Sequence, residues 1–488
     1  MPRRPDRGHA VPGHVVIVGA GPAGLMAAHE LIRAGTRVTI LEKRASLGGL
    51  GGTTLFEGRH GTYRFDFGGH RFITHNRDLL RLVDELLGDD LLTATRQSVI
   101  RLGGRTYAYP LAPLDLLRNA PPGLLAGAAF DLAKRMLRPR NPIGADFASW
   151  TENRFGRTLY RTFFAGYTEK LWGIPPDRLS ADWAEQRISL VDIRDVFRRL
   201  LPGAADNPRT YARSYRYPRH GFGVIFQRLA AKLAKEGAGI RPGVSVTGFG
   251  IERGRIVRVL TDTGPISCDA VISTLPLPEM VRMTGNKANL RFRGLRFLNF
   301  PMAVPDISPW TWQYLSDPDM VATRLQEPRR RSPEMAPPGM SSLMMEIPCD
   351  PGDPLWTMPD EVLFERIGGD LERLGVDPSH ATGEMFSARA ATAYPLMTLG
   401  YQTERDRALA HLGKIPNLVQ CGRQGTFRYI SPIRRWKWAR WRQKRFWQVT
   451  TGARRFTNTV MKEPSSKLKA LPDPRETSCE TSCAALPS

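Results

Sequence analysis

The stretch from His14 to Gly52, HVVIVGAGPAGLMAAHELIRAGTRVTILEKRASLGGLGG, decides the fold. Val15–Val18 is a short apolar run suited to a buried parallel strand. Gly19-Ala-Gly21-Pro-Ala-Gly24 follows at once, and from Leu25 to Ala34 apolar residues recur at helical spacing. A second apolar run, Val38–Leu41, ends on Glu42. In such a crossing Gly19 permits the tight turn, Gly21 lets the backbone approach a pyrophosphate, and Gly24 lets helix and strand pack closely. Pro22 and Ala23 open the helix, whose first amides and partial positive charge suit phosphate oxygens. Glu42 is placed to accept hydrogen bonds from ribose hydroxyls, and its charge would repel a ribose 2′-phosphate. A single GxGxxG among 46 glycines would be weak; its place between strand and helix makes it a dinucleotide site. The continuation KRASLGGLGGT favours FAD over NAD. Its Lys43, Arg44, Gly48 and Gly49 would bring backbone amides along a long cofactor lying across the sheet.

Outward from this unit, Gly243–Pro276 reads as strand, turn, strand, turn, strand, with Gly254 and Gly264 at the turns and Val246 on the cofactor side. Ile415–Gly425 reads as a last strand running into a glycine turn at Gly422-Arg423. A helical stretch (roughly 112–200) and a strand-rich one (roughly 290–350) lie between. The expected fold is therefore α/β: a Rossmann-like FAD-binding domain of the glutathione-reductase type, with an inserted helical and β-rich substrate domain. The expected blocks are 14–110, 216–290 and 386–430 for the cofactor domain, 111–215 for the helical insert, 291–385 for the β-rich insert, and 431–488 as a tail.

The 488 residues suffice for a large core, and 41% hydrophobic with 24% charged residues is a soluble globular composition. No apolar run approaches the roughly 18 residues of a membrane span, and the basic N-terminus lacks the apolar core of a secretory signal. Five cysteines (268, 349, 421, 479 and 483) show no metal-type spacing, so no metal site and a reducing, cytoplasmic setting are expected. Of the net charge of +23, +9 lies in residues 431–488 and the remaining +14 is spread along the rest of the chain. It reads as a solvated basic surface and not as a nucleic-acid platform.

With these residues in place, the chain from about 14 to 430 resembles the UDP-galactopyranose mutases, and more broadly the flavin family of protoporphyrinogen and amine oxidases. FDFGGHRFITH (Phe65–His75) is similar to the mutases' loop against the flavin ring, which implies flavin contacts for Gly68, Gly69 and His70. RLGGRTYAYP (Arg101–Pro110) resembles the next hairpin, with Arg101 on the flavin side. In FFAGYTEKLWGIPPDRLSADWAEQR the resemblance implies uridine contacts from Phe163, Trp172 and Arg187. Thr168 stands where the family has Asn. An aromatic can stack on uracil and a guanidinium can fork onto phosphate, although Phe163 and Trp172 taken alone fit an ordinary core. Arg324, twelve residues after Trp312, Tyr394 in AYPLMTLGY and Arg428 in GRQGTFRY match diphosphate-binding positions. Two arginines would offset the roughly two charges of a diphosphate.

The resemblance implies a FAD-dependent enzyme acting on a small molecule, a UDP-sugar, by ring contraction of UDP-galactopyranose through reduced flavin. A reductant such as NAD(P)H would prime it. His70, Arg324 and Arg428 would carry the chemistry. The alternative is a FAD-dependent oxidoreductase of the protoporphyrinogen or amine oxidase type. The mutases' Asn-Gln-Asp segment is missing after Arg428. Instead the run from Ser431 packs Trp436, Trp438, Trp441 and Trp447 among arginines and lysines. Read two nucleotides later in each codon, Ser431–Arg442 becomes Thr-Asp-Thr-Ala-Met-Glu-Met-Gly-Ala-Met-Ala, an Asp-capped small-residue helix. A frame shift near Ile430 is the expected origin of the tail, and an inactive flavoprotein is its corollary. The rival is an interfacial arm making peripheral membrane contact.

Overall fold

The structure, a computed structural model, describes residues 13–74, 76–137, 144–187 and 214–429. The tail from Ser431 lies outside these residues, and so do the readings of it as a shifted frame or a membrane arm.

The first strand, His14–Val18, is the centre of a five-stranded parallel sheet. Arg37–Glu42 and Gly239–Pro242 lie on one side of it, Ala270–Ser273 and Leu418–Gln420 on the other. Val15, Val16 and Ile17 are fully buried, as an all-apolar run covered on both faces must be. The helix Pro22–Arg33 starts with Gly21 as N-cap and Pro22 at its first position, where a missing N–H costs nothing. Its Leu25, Ala28 and Leu31 bury one stripe against the sheet and the helix Val224–Lys235, through Ile225 and Leu229. A three-stranded antiparallel meander, Val246–Glu252, Arg255–Thr261 and Gly264–Ser267, turns at Gly254 and Gly264 with positive φ, as the sequence predicts.

A second sheet of seven strands carries the other half of the site. Its order is Phe386–Pro395, Phe292–Met302, Ser341–Pro348, Arg324–Gln326, Trp312–Leu315, Ser98–Leu102 and Arg105–Ala108. All neighbours are antiparallel except the Trp312 and Ser98 strands. Two of these elements were expected with the cofactor blocks. The hairpin Ser98–Ala108 and the strand Phe386–Pro395 are hydrogen-bonded into this seven-stranded sheet. Alternation in sequence identifies a strand but not its partner, and both pairings here are long-range.

The alternation sorts the two faces of this sheet. Leu298, Phe300, Leu325, Leu343, Met345 and Ile347 pack on the helix Asp360–Arg373 through Leu363, Ile367 and Leu371. On the opposite face, directly paired residues form a row: Tyr107, Ile100, Tyr314, Arg324, Glu346 and Phe297. Thus one ion pair sits in the middle of an otherwise apolar and aromatic row.

Arg296 is fully buried on the helix-covered face. Its guanidinium donates to Ser387 Oγ and the Leu355 carbonyl, both at 2.7 Å, and pairs with Asp360. Arg296→Ala strands that carboxylate and two acceptors. Urea denaturation of the variant should show a loss of about 3–5 kcal/mol, the range for breaking a buried pair from one side. A loss under 1 kcal/mol would mean that the network is dispensable.

Candidate flavin and substrate site

At the dinucleotide end the glycines are required by contact. A Cβ on Gly24 would lie 1.9 Å from the Gly19 carbonyl oxygen. Gly19, at φ +99°, closes on Thr274, whose Oγ1 a Cβ would meet at 2.1 Å. A Cβ on Gly21 would meet nothing within 4 Å and would only fill the space before the helix amides. That is a cradle for a pyrophosphate, and the donors around it are main-chain N–H groups. Gly48 donates its N–H to the Ala20 carbonyl at 2.9 Å, which seats the Gly48-Gly49 turn against Gly21. Gly422 lies against Ala23.

Glu42 differs from expectation in one respect. Its carboxylate already accepts from the amides of Ala20 (2.9 Å) and Arg44 (3.0 Å), so the protein holds its orientation before any ribose is bound. Lys43 is exposed, and Arg44 stacks over Phe67 with 5.4 Å to the ring centroid. Val246 is half-buried beside this corner, where the Val244 N–H donates to the Glu42 carbonyl at 2.9 Å. These donors, the open cradle and the acidic strand end fit an ADP-containing cofactor.

The loop Gly68-Gly69-His70 lies against the seven-stranded sheet, beside Trp312 and Glu346. A Cβ on Gly69 would strike the Trp312 indole at 2.0 Å, so the loop rests its backbone on that ring. Gly68 is close to Glu346, whose Oε1 would be 3.3 Å from an added Cβ. His70 is held from behind: its Nε2 donates to the Leu50 carbonyl at 2.8 Å, and its ring stacks on Phe222 at 5.0 Å.

Across from this loop, Arg324 is 5% exposed. Its Nη2 lies 2.9 Å from Glu346 and donates to the Tyr394 hydroxyl at 2.9 Å. Burial works against its charge, but Glu346 and the phenols of Tyr394 and Tyr167 raise it well above the ordinary guanidinium value. Glu346 is itself fully buried and accepts from Gln326, which in turn accepts from Arg331. Trp172 leans on Tyr394 at 5.8 Å and on Trp183 at 5.3 Å, and Thr168 is buried on the same helix, Gly166–Trp172. So Trp172, Arg324 and Tyr394, from three separate segments, meet in one place.

Other sequence-derived candidates go elsewhere. Phe163, in a π-helical turn Tyr160–Ala165, packs edge-on to Tyr107 at 5.1 Å in a cluster separate from Trp172. Arg101 donates to Thr106 (2.6 Å) and to the Leu374 carbonyl (2.9 Å), and so is committed to the sheet's own framework. Arg428 lies near Tyr401, whose hydroxyl donates to Asp182 at 2.7 Å. Arg423 reaches the Arg324 group, stacked over Tyr394 at 5.6 Å and Tyr429 at 4.6 Å. Arg187 ends the helix Ala181–Arg187, with its side chain outside the described residues.

Four residues that motif matching missed belong to this place: Glu346, Tyr167, Tyr314 and Arg71. Tyr167 packs on Tyr314 at 6.1 Å, and Arg71 stacks over Trp312 at 3.8 Å. Burial, with the cations of Arg96 and Arg331, lowers Arg71 to about 10. The one available signal was Glu346 in SSLMMEIP, a lone acid in an apolar strand. Among the described residues no cluster of three His, Cys, Asp or Glu side chains is placed to hold a metal ion, and no helix is long and apolar enough to cross a membrane.

Residues 22–427 match the family described as flavin containing amine oxidoreductase, and the chain belongs to it. It is an FAD-dependent enzyme. A phytoene dehydrogenase of Streptomyces griseus is 28% identical over 420 residues, covering 74% of this chain and 78% of that protein. The crystal structure of a reduced UDP-galactopyranose mutase superposes with a TM-score of 0.76 at 21% identity, covering 90% of this chain and 95% of that one. A cyclohexylamine oxidase from Brevibacterium oxydans IH-35A superposes with a TM-score of 0.60 at 15% identity, covering 91% and 100%.

Because the Gly24 contact is with main chain, Gly24→Val cannot be accommodated by a rotamer change. The variant should purify without its yellow colour, read as the flavin absorbance relative to protein. Gly21→Ala, with open space around its Cβ, should fold normally but retain FAD more weakly.

Proposed function

We propose that this enzyme acts on a UDP-sugar, with ring contraction of UDP-galactopyranose as the specific reaction. The observation that carries this reading is the meeting of Trp172, Arg324 and Tyr394. They come from a helix of the helical segment and from two strands of the seven-stranded sheet. Trp172 offers an aromatic face for a base, while Arg324 and the Tyr394 hydroxyl offer donors for a diphosphate. When bound, FAD supplies the electron-rich centre that such chemistry needs. The chain's own work is to hold the sugar beside the Gly68-Gly69 loop, exclude water with its tyrosine wall, and stabilise charge on the departing diphosphate. Glu346 offsets the charge of Arg324, so the second cation for a diphosphate falls to the turn carrying Arg423 and Arg428.

The same ion pair supports a second reading, a redox oxidoreductase. A neutralised guanidinium inside a wall of tyrosines suits a less charged substrate that gives up hydride. The similarity to a phytoene dehydrogenase over most of that protein's length agrees with this.

Titrating UDP into the holoprotein while recording the flavin spectrum, oxidised and reduced, separates the two. The nucleotide reading expects a saturable difference spectrum, weakened by about 2–5 kcal/mol in Arg324→Ala, as for loss of a buried charge partner. Glu346→Gln releases the Arg324 charge and should tighten UDP binding. Spectra indifferent to UDP in both redox states, with bleaching of the flavin by an organic donor, would establish the oxidoreductase.

A further inference from the structure

The helix Gly166–Trp172 and the hairpin Trp312–Gln326 meet at the Tyr167–Tyr314 contact, and Lys170 of the same helix also reaches the hairpin. Lys170 directs its Nζ at four main-chain carbonyls: Leu315 (2.8 Å), Asp317 (2.8 Å), Ala322 (3.0 Å) and Met320 (3.2 Å). All four lie at or within the loop between the Trp312 and Arg324 strands. An ammonium has three protons, so four acceptors converge on a charge and not on separate bonds.

The neighbouring carboxylates are engaged by other groups. Asp317 accepts from the Gly103 amide at 2.8 Å and lies 3.6 Å from Arg373. Asp319 pairs with Arg373 at 2.7 Å, and Asp370 accepts from the Val321 amide at 3.1 Å. Burial lowers Lys170 to about 8, and the charges of Asp370, Asp317 and Asp319 oppose that fall. Among the described residues the hydrogen-bond partners of this ammonium are these four main-chain carbonyls.

Rings of main-chain carbonyls are how proteins replace the hydration shell of potassium. Oxygens at 2.8–3.2 Å stand too far out for calcium, at about 2.3–2.6 Å, or magnesium, at about 2.0–2.1 Å. We propose that the 315–322 loop is a monovalent-cation site whose resident cation is the Lys170 ammonium, which makes Lys170 the positioning residue that sets its helix against Arg324. The helix brings Tyr167, Thr168 and Trp172, and the hairpin brings Tyr314 and Arg324. Tyr167 and Lys170, three residues apart, share a helix face, so the clamp acts directly behind the Tyr167–Tyr314 contact. The inference is independent of which substrate the site takes.

The test uses Lys170→Ala as holoprotein, prepared in potassium and exchanged into other salts at equal ionic strength. In potassium or ammonium its melting temperature and the visible circular dichroism of its FAD should match the wild type. In tetramethylammonium both should shift, and potassium in the millimolar range should restore them. Thallous ion should give an anomalous diffraction peak among the four carbonyls. Lys170→Met puts an apolar chain among the four carbonyls and should be impaired in every salt. The proposal is overturned if Lys170→Ala is indifferent to the cation or impaired equally in all. Failure to accumulate as holoprotein in potassium, or rescue of Lys170→Met by potassium, overturns it as well. None of these readouts requires UDP to bind, so loss of the nucleotide reading would leave the outcome intact.

Discussion

A side chain that is missing sets the geometry of the cofactor half. Gly24 brings its helix so close to the Gly19 turn that any Cβ would collide with a carbonyl oxygen at 1.9 Å. The close approach presents the helix amides as a cradle, and the Gly48-Gly49 turn closes over it through a bond to Ala20. Glu42, oriented by two backbone amides, marks the other end. The other parallel strands and the helix Val224–Lys235 pack around this unit.

The seven-stranded sheet contributes a different constraint. Placing Arg324 and Glu346 as direct cross-strand partners buries two opposite charges almost completely. Such a pair gives little net stability, because desolvation offsets most of the attraction, but losing either partner is costly. Its value is positional. Glu346 and Tyr394 both hold the guanidinium at Nη2, next to the Gly68-Gly69 loop. The same pair leaves the substrate reading balanced between a diphosphate, which needs further cations, and a less charged molecule.

Long-range contacts that local sequence does not reveal fix the surroundings of the site. Lys170 binds the carbonyls of a loop far away in the chain, and Arg423 reaches Tyr394 by stacking. Arg428 stands beside Tyr401, and Phe163 joins Tyr107 and Ile100. Each of these residues had been matched by motif spacing, or passed over, without knowledge of which strand would lie opposite. Arg101 shows the limit well: its hairpin is legible in sequence, but its guanidinium turns to Leu374, a residue at the end of a helix the hairpin could not anticipate.

By itself the sequence determined whatever depends on neighbours a few positions apart: the strand–glycine–helix unit, its acidic strand end, the Gly254 and Gly264 turns, and hence the α/β cofactor fold and FAD. Those signals are local because φ, ψ and hydrophobic period are local. Only the tertiary structure decided that the Ser98 hairpin and the Phe386 strand complete the seven-stranded sheet, that Glu346 faces Arg324, and that Lys170 serves a carbonyl cage. These depend on strand pairing and on the convergence of charge across the interior, and a linear pattern carries no record of which distant partner a buried group will meet.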